Sequence, residues 1–175
     1  MINGNKVIVC DKSPADAADD YAWQTDPELA HLTATHPLTT PFPDYLSRYA
    51  SQLQDNHPRK HQFAIKTLGG KHIGNCAYYS VDETMSETEI GIIIGDRRYW
   101  DRGYGTDAVT TLVSHVFSRT NLRRIHLKAL DSNKRAQRCF YRCGFTICGH
   151  TIIDGYGYVL MELHRSRWQS HQINH

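Results

Sequence analysis

Apolar positions along this chain change their period several times, and each change marks an element. Lys6-Val7-Ile8-Val9-Cys10 predicts a short opening strand. Ser13-Pro14 supplies a cap followed by proline at the first helical position, which predicts a helix to about Trp23. Asp26-Pro27 repeats that signal for a short second helix, and Asp19, Asp20 and Glu28 read as a solvated helical face. Beyond a proline-broken loop from His36 to Pro43, Phe42, Leu46, Tyr49, Ala50 and Leu53 recur at helical spacing. Phe63-Ala64-Ile65 and Ile73 to Tyr78 read as strands joined by a Leu68-Gly69-Gly70-Lys71 turn.

A third strand from Glu89 to Gly95 is nearly continuous in isoleucine, as burial in a sheet requires. Strand alternation puts Ile90, Ile92 and Ile94 on a core face, and Glu89, Gly91, Ile93 and Gly95 on a face suited to a groove. Val109, Leu112, Val113, Val116 and Phe117 form a helical stripe, followed by a strand from Ile125 to Leu130. Asp131-Ser132-Asn133 caps a further helix whose stripe is Ala136, Cys139, Phe140 and Cys143. Phe145 to Ile153 and Tyr156 to Leu163 are joined by Asp154-Gly155, a strong hairpin signal. The expected fold class is α+β (α/β): one domain over residues 1–165, with a mixed central sheet of six to seven strands and about four helices. Residues 166–175 are expected to be a polar, frayed tail, with His171 and His175 solvated.

Composition narrows the field. With 175 residues, 40% hydrophobic and 22% charged, the chain fits an ordinary soluble domain with a real core. Its net charge of +2 gives no reason to expect nucleic acid as a partner. No apolar run approaches the roughly 20 residues that span a bilayer, so no membrane partner is expected. The first residues lack a signal-peptide core, making the cytoplasm the default expectation. The five cysteines lack a Cys-x-x-Cys pair and read as reduced thiols, and no metal is expected.

Candidate chemistry concentrates where the isoleucine strand ends. Asp96-Arg97-Arg98-Tyr99-Trp100-Asp101-Arg102-Gly103-Tyr104-Gly105-Thr106 is a basic loop, a Gly-x-Gly turn and a helix start. Glycine allows positive φ and close backbone approach. The first helical amides point at whatever sits beyond the N-terminus. Arg97, Arg98 and Arg102 suggest that the visitor is an anion such as a diphosphate. Gly103-Tyr104-Gly105-Thr106-Asp107-Ala108 also matches a dinucleotide pattern, but Gly103 lies eight residues past Gly95, too far for the tight turn that pattern needs. A Walker-type loop fails for want of Gly-Lys-Ser/Thr.

Trp100-Asp101-Arg102-Gly103-Tyr104-Gly105, followed by Asn133-Lys134-Arg135-Ala136 through Gly144-Phe145, resembles the two signature blocks of the GCN5-related N-acetyltransferase superfamily. The wording is most similar to the ribosomal-protein-alanine and polyamine acetyltransferase branch. The resemblance implies acetyl-CoA as co-substrate and direct acetyl transfer to a primary amine: a protein N-terminus, a polyamine or a small-molecule amine. It implies cofactor contacts from Ile93 and Ile94 (strand backbone), Arg98, Trp100, Asp101, Arg102, Gly103, Tyr104, Gly105, Thr106 and Asn133. Family members are monomers or homodimers.

The resemblance further implies a catalytic glutamate fourteen residues before the first motif glycine, which is Glu89, as general base through water. The family's thiolate-protonating tyrosine falls on Phe140, and Tyr141, one residue later, is the candidate acid. Trp100 stands where the family has Gln or Arg, and Lys128 stands where some N-terminal-alanine enzymes place a glutamate. A non-catalytic CoA sensor and a simple anion-binding module are the competing readings.

Overall fold

The computed structural model describes residues 1–54 and 60–173. In chain order the strands are β1 (Ile2–Asn3), β2 (Val7–Asp11), β3 (Lys60–Thr67), β4 (His72–Asp82), β5 (Glu87–Ile94), β6 (Arg124–Leu130), β7 (Thr146–Ile153) and β8 (Tyr156–His164). The helices are α1 (Ala17–Thr25), α2 (Pro27–Leu32), α3 (Phe42–Gln54), α4 (Tyr104–Arg119), α5 (Lys134–Arg142) and α6 (Arg165–Ile173). The strands make one mixed sheet, ordered β1-β2-β3-β4-β5-β6-β8-β7. The eighth strand is β1, a two-residue segment without a readable period, which pairs with β2. Among the described residues, no helix is long and apolar enough to cross a membrane.

The α4 stripe behaves as its period predicts: Val109, Leu112, Val113, Val116 and Phe117 are all buried against the sheet. At the β7–β8 turn, Asp154 and Gly155 both take positive φ, 51° and 81°, as a tight two-residue hairpin demands. Asn133 caps α5, its side chain accepting from the Ala136 amide at 3.1 Å. Asp107 on α4 accepts from the amides of Asn5, Lys6 and Val7 at 2.8–3.1 Å, pinning the β1–β2 turn to the helix.

Three expectations need correction. Helix α3 is turned from the anticipated stripe: Tyr49 is buried as expected, but Tyr45 joins it, while Phe42, Leu46 and Ala50 are exposed. The amphipathic tyrosines win that face because their rings pack on Tyr21 and Ala17 while their hydroxyls find polar partners. Asp20, readable as part of a solvated helical face, is buried. It accepts from Lys12 Nζ and Asn75 Nδ2, both at 2.5 Å, and from Tyr49 Oη at 3.0 Å. The polar tail forms α6 over Arg165–Ile173 rather than fraying. Arg165 donates to the carbonyls of Leu122, Phe117 and Thr120, each at 2.7 Å, and Trp168 packs on Phe117 with ring centroids 5.3 Å apart. His175 and the side chain of His171 lie outside the described residues.

Two stability predictions follow from these anchors. Arg165→Ala removes three charge-assisted bonds to carbonyls that end α4, and should lower the unfolding free energy by about 2–4 kcal/mol in urea titrations. Asp16 is buried; burial pushes its carboxyl up, yet Lys66 at 2.9 Å and the Ser13 amide and hydroxyl at 2.8 and 2.9 Å hold it below the ordinary aspartate value. Its stabilisation is therefore complete above an unfolded-state pKa of about 3.9 and is lost as pH falls through the lowered folded value. Asp16→Asn should be less stable at pH 7 and should lose less stability than the parent between pH about 5 and 2.

Candidate active site

The site begins where two neighbouring strands part. Strand β5 pairs with β6 in parallel only over Glu87–Glu89 against Arg124–His126. From there β6 continues against β8 as far as Leu130↔Tyr158, and β5 continues against β4 as far as Gly74↔Ile94. Among the described residues, Ile90–Ile94 have no strand partner on the β6 side. Arg124 locks the closed end, donating to Glu87 at 2.6 Å and to Glu162 at 2.7 Å, so one guanidinium ties β5, β6 and β8 together.

Main-chain directions on β5 follow from its pairing with β4. The Gly95 amide donates to Ile73 O at 3.0 Å. Strand alternation then turns the main-chain groups of Ile93 towards β4 and those of Ile92 and Ile94 towards the gap. Trp100 Nε1 takes the Ile94 carbonyl at 2.6 Å. Ile92 and the Ile94 amide are left facing the opening. Ile93, expected to offer its backbone to the gap, turns its main-chain groups towards β4 and lines both cavities.

The gap opens onto the N-terminus of α4, beside a cavity of about 330 Å³. Gly103, the α4 cap, holds φ at 84°, a conformation that strains any residue with a Cβ. The first intrahelical bond runs from the Asp107 amide to Gly103 O, leaving the amides of Tyr104, Gly105 and Thr106 without an intrahelical acceptor. Trp100, Asp101, Gly103, Gly105 and Thr106 of the motif line this cavity. Tyr104 packs edge-on against Tyr99 at 4.9 Å, under Lys6.

The loop arginines are placed differently from expectation. Arg97 is held by Asp26 at 2.8 Å and Glu28 at 2.6 Å, stapling the loop to α2. Arg98 is exposed and pairs with Asp96 at 2.6 Å. Arg102 donates to Arg98 O at 3.1 Å. None of the three lines the cavity. The cations that do are Arg135, Arg138 and Arg142, which sit on one face of α5 at i, i+3 and i+7. Arg135 stacks over the Trp100 ring, 3.3 Å from its centroid. Among the described residues, no carboxylate pairs with Arg138 or Arg142. Their helical spacing was legible in the sequence, but the loop arginines beside the glycines drew the reading away from it.

Cys139 and Cys143 latch α5 to α4: the Cys139 thiol lies 3.6 Å from Thr106 Oγ1, and Cys143 Sγ donates to Thr106 O at 3.5 Å. Hydrogen bonding from Cys143 lowers the Cys139 thiol pKa, and the same interaction raises that of Cys143. Among the described residues, no cluster of His, Cys, Asp and Glu could hold a metal ion.

A second cavity, of about 660 Å³, continues from the first and shares Ile92, Ile93, Asn133, Ala136 and Phe140 with it. Its floor is the groove face of β4 and β5, where register pairs Asn75 with Ile93, Ala77 with Gly91, and Tyr79 with Glu89. Glu89 shares that face but is mostly buried and lines neither cavity. Its Oε1 accepts from Lys128 Nζ at 2.7 Å and from Tyr79 Oη at 3.1 Å, and among the described residues Oε2 has no protein partner. Burial and the Glu89 carboxylate push the Tyr79 hydroxyl pKa up, so Tyr79 stays a proton donor to Glu89. Tyr79 could not have been found from sequence, because only strand register brings it to Glu89. Phe140 sits at the junction of the two cavities, whereas Tyr141 is half-exposed and lines neither. One helical step turns a side chain by about 100°, which carries Tyr141 out of the site.

Comparison with known proteins matches this architecture. Residues 11–146 match the family model of the acetyltransferase (GNAT) domain. The fold superimposes on spermidine N-acetyltransferase from Vibrio cholerae, solved with CoA and spermine, at a TM-score of 0.80 and 18% identity, covering 93% of this chain and 98% of that one. An aminoglycoside acetyltransferase solved with coenzyme A superimposes at 0.77 and 20% identity, covering 95% and 99%. In sequence, a 61-residue stretch is 34% identical to an uncharacterised N-acetyltransferase, p20, of Bacillus licheniformis; it spans 35% of this chain and only 34% of that protein. With strand gap, glycine turn and capped α5 all in their places, the chain belongs to the GNAT acetyltransferase family.

Proposed function

We propose that this protein transfers the acetyl group of acetyl-CoA directly to a primary amine in a ternary complex, without a covalent acyl-enzyme. The observation that carries this reading is the parted pair β5/β6, whose unpartnered main-chain groups lead to the free amides of α4. A pantetheine arm, with its own amides, would complete the missing strand edge against Ile92 and Ile94. The diphosphate would meet the amides of Tyr104, Gly105 and Thr106 and the guanidiniums of Arg138 and Arg142, each charge-assisted contact contributing about 1.5–3 kcal/mol. Phosphate held there would leave the thioester near the junction of the two cavities, beside Ile92, Ile93 and Phe140.

Transfer needs a neutral amine, a stabilised oxyanion and a proton for the departing thiolate. The base in this reading is Glu89, whose Oε1 is taken by Lys128 and Tyr79 and whose Oε2 would accept the amine proton. It lies four residues along β5 from Ile93, about 13 Å at 3.3 Å per residue, so the proton travels through water. Main-chain N–H groups on the gap side of β5 are the oxyanion donors. Phe140 carries no proton and Tyr141 faces away, which leaves water to protonate a thiolate whose parent pKa is near 8.5.

Glu89→Gln should lower kcat by about 100-fold or more while acetyl-CoA affinity by calorimetry stays within about twofold. Retained turnover in that variant would remove Glu89 from the proton path. Tight acetyl-CoA binding with no CoA released by any amine would replace catalysis with a sensor role. Charge reversal at the cofactor end separates the two sets of arginines. Arg138→Glu with Arg142→Glu should weaken acetyl-CoA binding by about 10- to 100-fold, and Arg98→Ala should change it by less than about twofold.

A further inference from the structure

The chamber beyond Phe140, where an acceptor would sit, has an uneven charge. Every ionisable side chain of Asp, Glu, Lys or Arg lining the larger cavity is a cation: Lys12, Arg48 and Lys128. Two of these are matched from behind the wall, Lys12 by the buried Asp20 at 2.5 Å and Lys128 by Glu89 at 2.7 Å. Arg48 is different. It stands on the exposed side of α3 at the chamber's rim, one turn before Gln52, and has no ion-pair partner among the described residues. The remaining polar lining is neutral: glutamines, Asn75 and tyrosines. Tyr45 is pushed up to about 12, mainly by burial, and contributes no negative charge. The chamber therefore carries an uncompensated positive charge and offers no carboxylate to a second ammonium group.

Resting on the acetyl-transfer reading above, we infer that the acceptor is an amine whose molecule also bears an anionic group, a carboxylate or a phosphate, and that Arg48 reads that group. A polyamine or aminoglycoside would bring several ammonium charges into a chamber whose free charge is already positive. An anion would instead meet a guanidinium with an unused donor fork. The chamber has two polar stations: Asn75, with Lys12 and Tyr49 beside Asp20, and Tyr79 with Lys128 beside Glu89. Asn75 and Tyr79 are four residues apart on β4, about 13 Å. That length suits a small acceptor with its amine at the acetyl group and its anion towards α3. Leu38, Leu53, Tyr45 and Tyr158 supply apolar surface for the body between them.

The test is a CoA-release assay on the full chain with matched amines: L-tyrosine against tyrosinamide, glucosamine 6-phosphate against glucosamine, and spermine. The anionic member of at least one pair should exceed its uncharged partner by about tenfold or more in kcat/KM, and which pair does so identifies carboxylate or phosphate. Arg48→Ala should reduce that ratio to near one, chiefly through KM, and Arg48→Glu should invert it in favour of the uncharged partner and spermine. Preference of the parent for spermine, or a ratio unmoved by Arg48→Glu, would overturn the inference. Calorimetry of the same amines on CoA-loaded protein reads acceptor binding without turnover. Arg48-dependent binding of an anionic probe sustains the inference even where no CoA is released, an outcome that would instead defeat the transfer reading. Absence of such binding to a CoA-loaded chain defeats the inference alone.

Discussion

Everything distinctive in this molecule depends on β5 and β6 pairing for three residues and then parting. An unpaired strand edge is costly when buried, because each free N–H or C=O loses its water without gaining a partner. Here that edge is kept open from both sides. Strand β4 secures β5 through a long antiparallel register, β8 secures β6, and the Arg124 bridge to Glu87 and Glu162 closes the fork at its base. The parting is thus imposed by the sheet and does not need a ligand to create it. A ligand that supplies amides of its own can repay the open edge, which is a stronger structural argument for a pantetheine arm than any single side chain.

Charge is sorted along the cleft by which carboxylates can reach which arginines. In the loop before α4, Asp26, Glu28 and Asp96 consume Arg97 and Arg98, so these residues fix the loop's shape and the Trp100 indole caps Ile94. On α5 no acidic residue falls within a helical turn of Arg138 or Arg142, and their charge stays available at the α4 N-terminus. The helix end adds about 0.3–1 kcal/mol per negative group when exposed, less than one good guanidinium contact. In the proposed complex the arginines of α5 would therefore set cofactor affinity, and the glycine turn its geometry.

How far the sequence could be read follows from the range of the interactions involved. The α4 stripe, the Asp154-Gly155 turn and the Asn133 cap are local, and a few adjacent residues determine each. The α3 face was misjudged at Tyr45, which the stripe omitted and which is buried through polar anchoring: Gln24 donates to its hydroxyl, beside Tyr49, which reaches Asp20 twenty-nine residues away. No hydrophobic period encodes such a pairing. Asp20 looked solvated for the same reason, since Lys12 reaches it from the loop after β2 and Asn75 from within β4, fifty-five residues away. That Ile92 rather than Ile93 turns its main-chain groups to the gap follows from one bond, Gly95 to Ile73, that only register reveals. Motif spacing points to glycines that the structure sets at the N-terminus of α4, and to Tyr141, which lines neither cavity because a helix converts a one-residue offset into a different face.

The Asp20 network also explains why the helical first third belongs to the site although its sequence says little about ligands. Asp20 sits on α1, accepts from Tyr49 on α3, and takes Asn75 from the groove face of β4. Removing one partner of a buried charge leaves the other uncompensated, at a cost of about 3–5 kcal/mol. Such a penalty holds α1, α3 and β4 in one arrangement more firmly than the small tyrosine cluster around Ala17 could alone. The wall of the acceptor chamber is therefore as rigid as its floor where Tyr49 stands. Arg48, the next residue towards solvent, projects from that fixed turn of helix. A cation on a rigid support, facing a chamber with no matching carboxylate, would discriminate between acceptors by charge at little entropic cost.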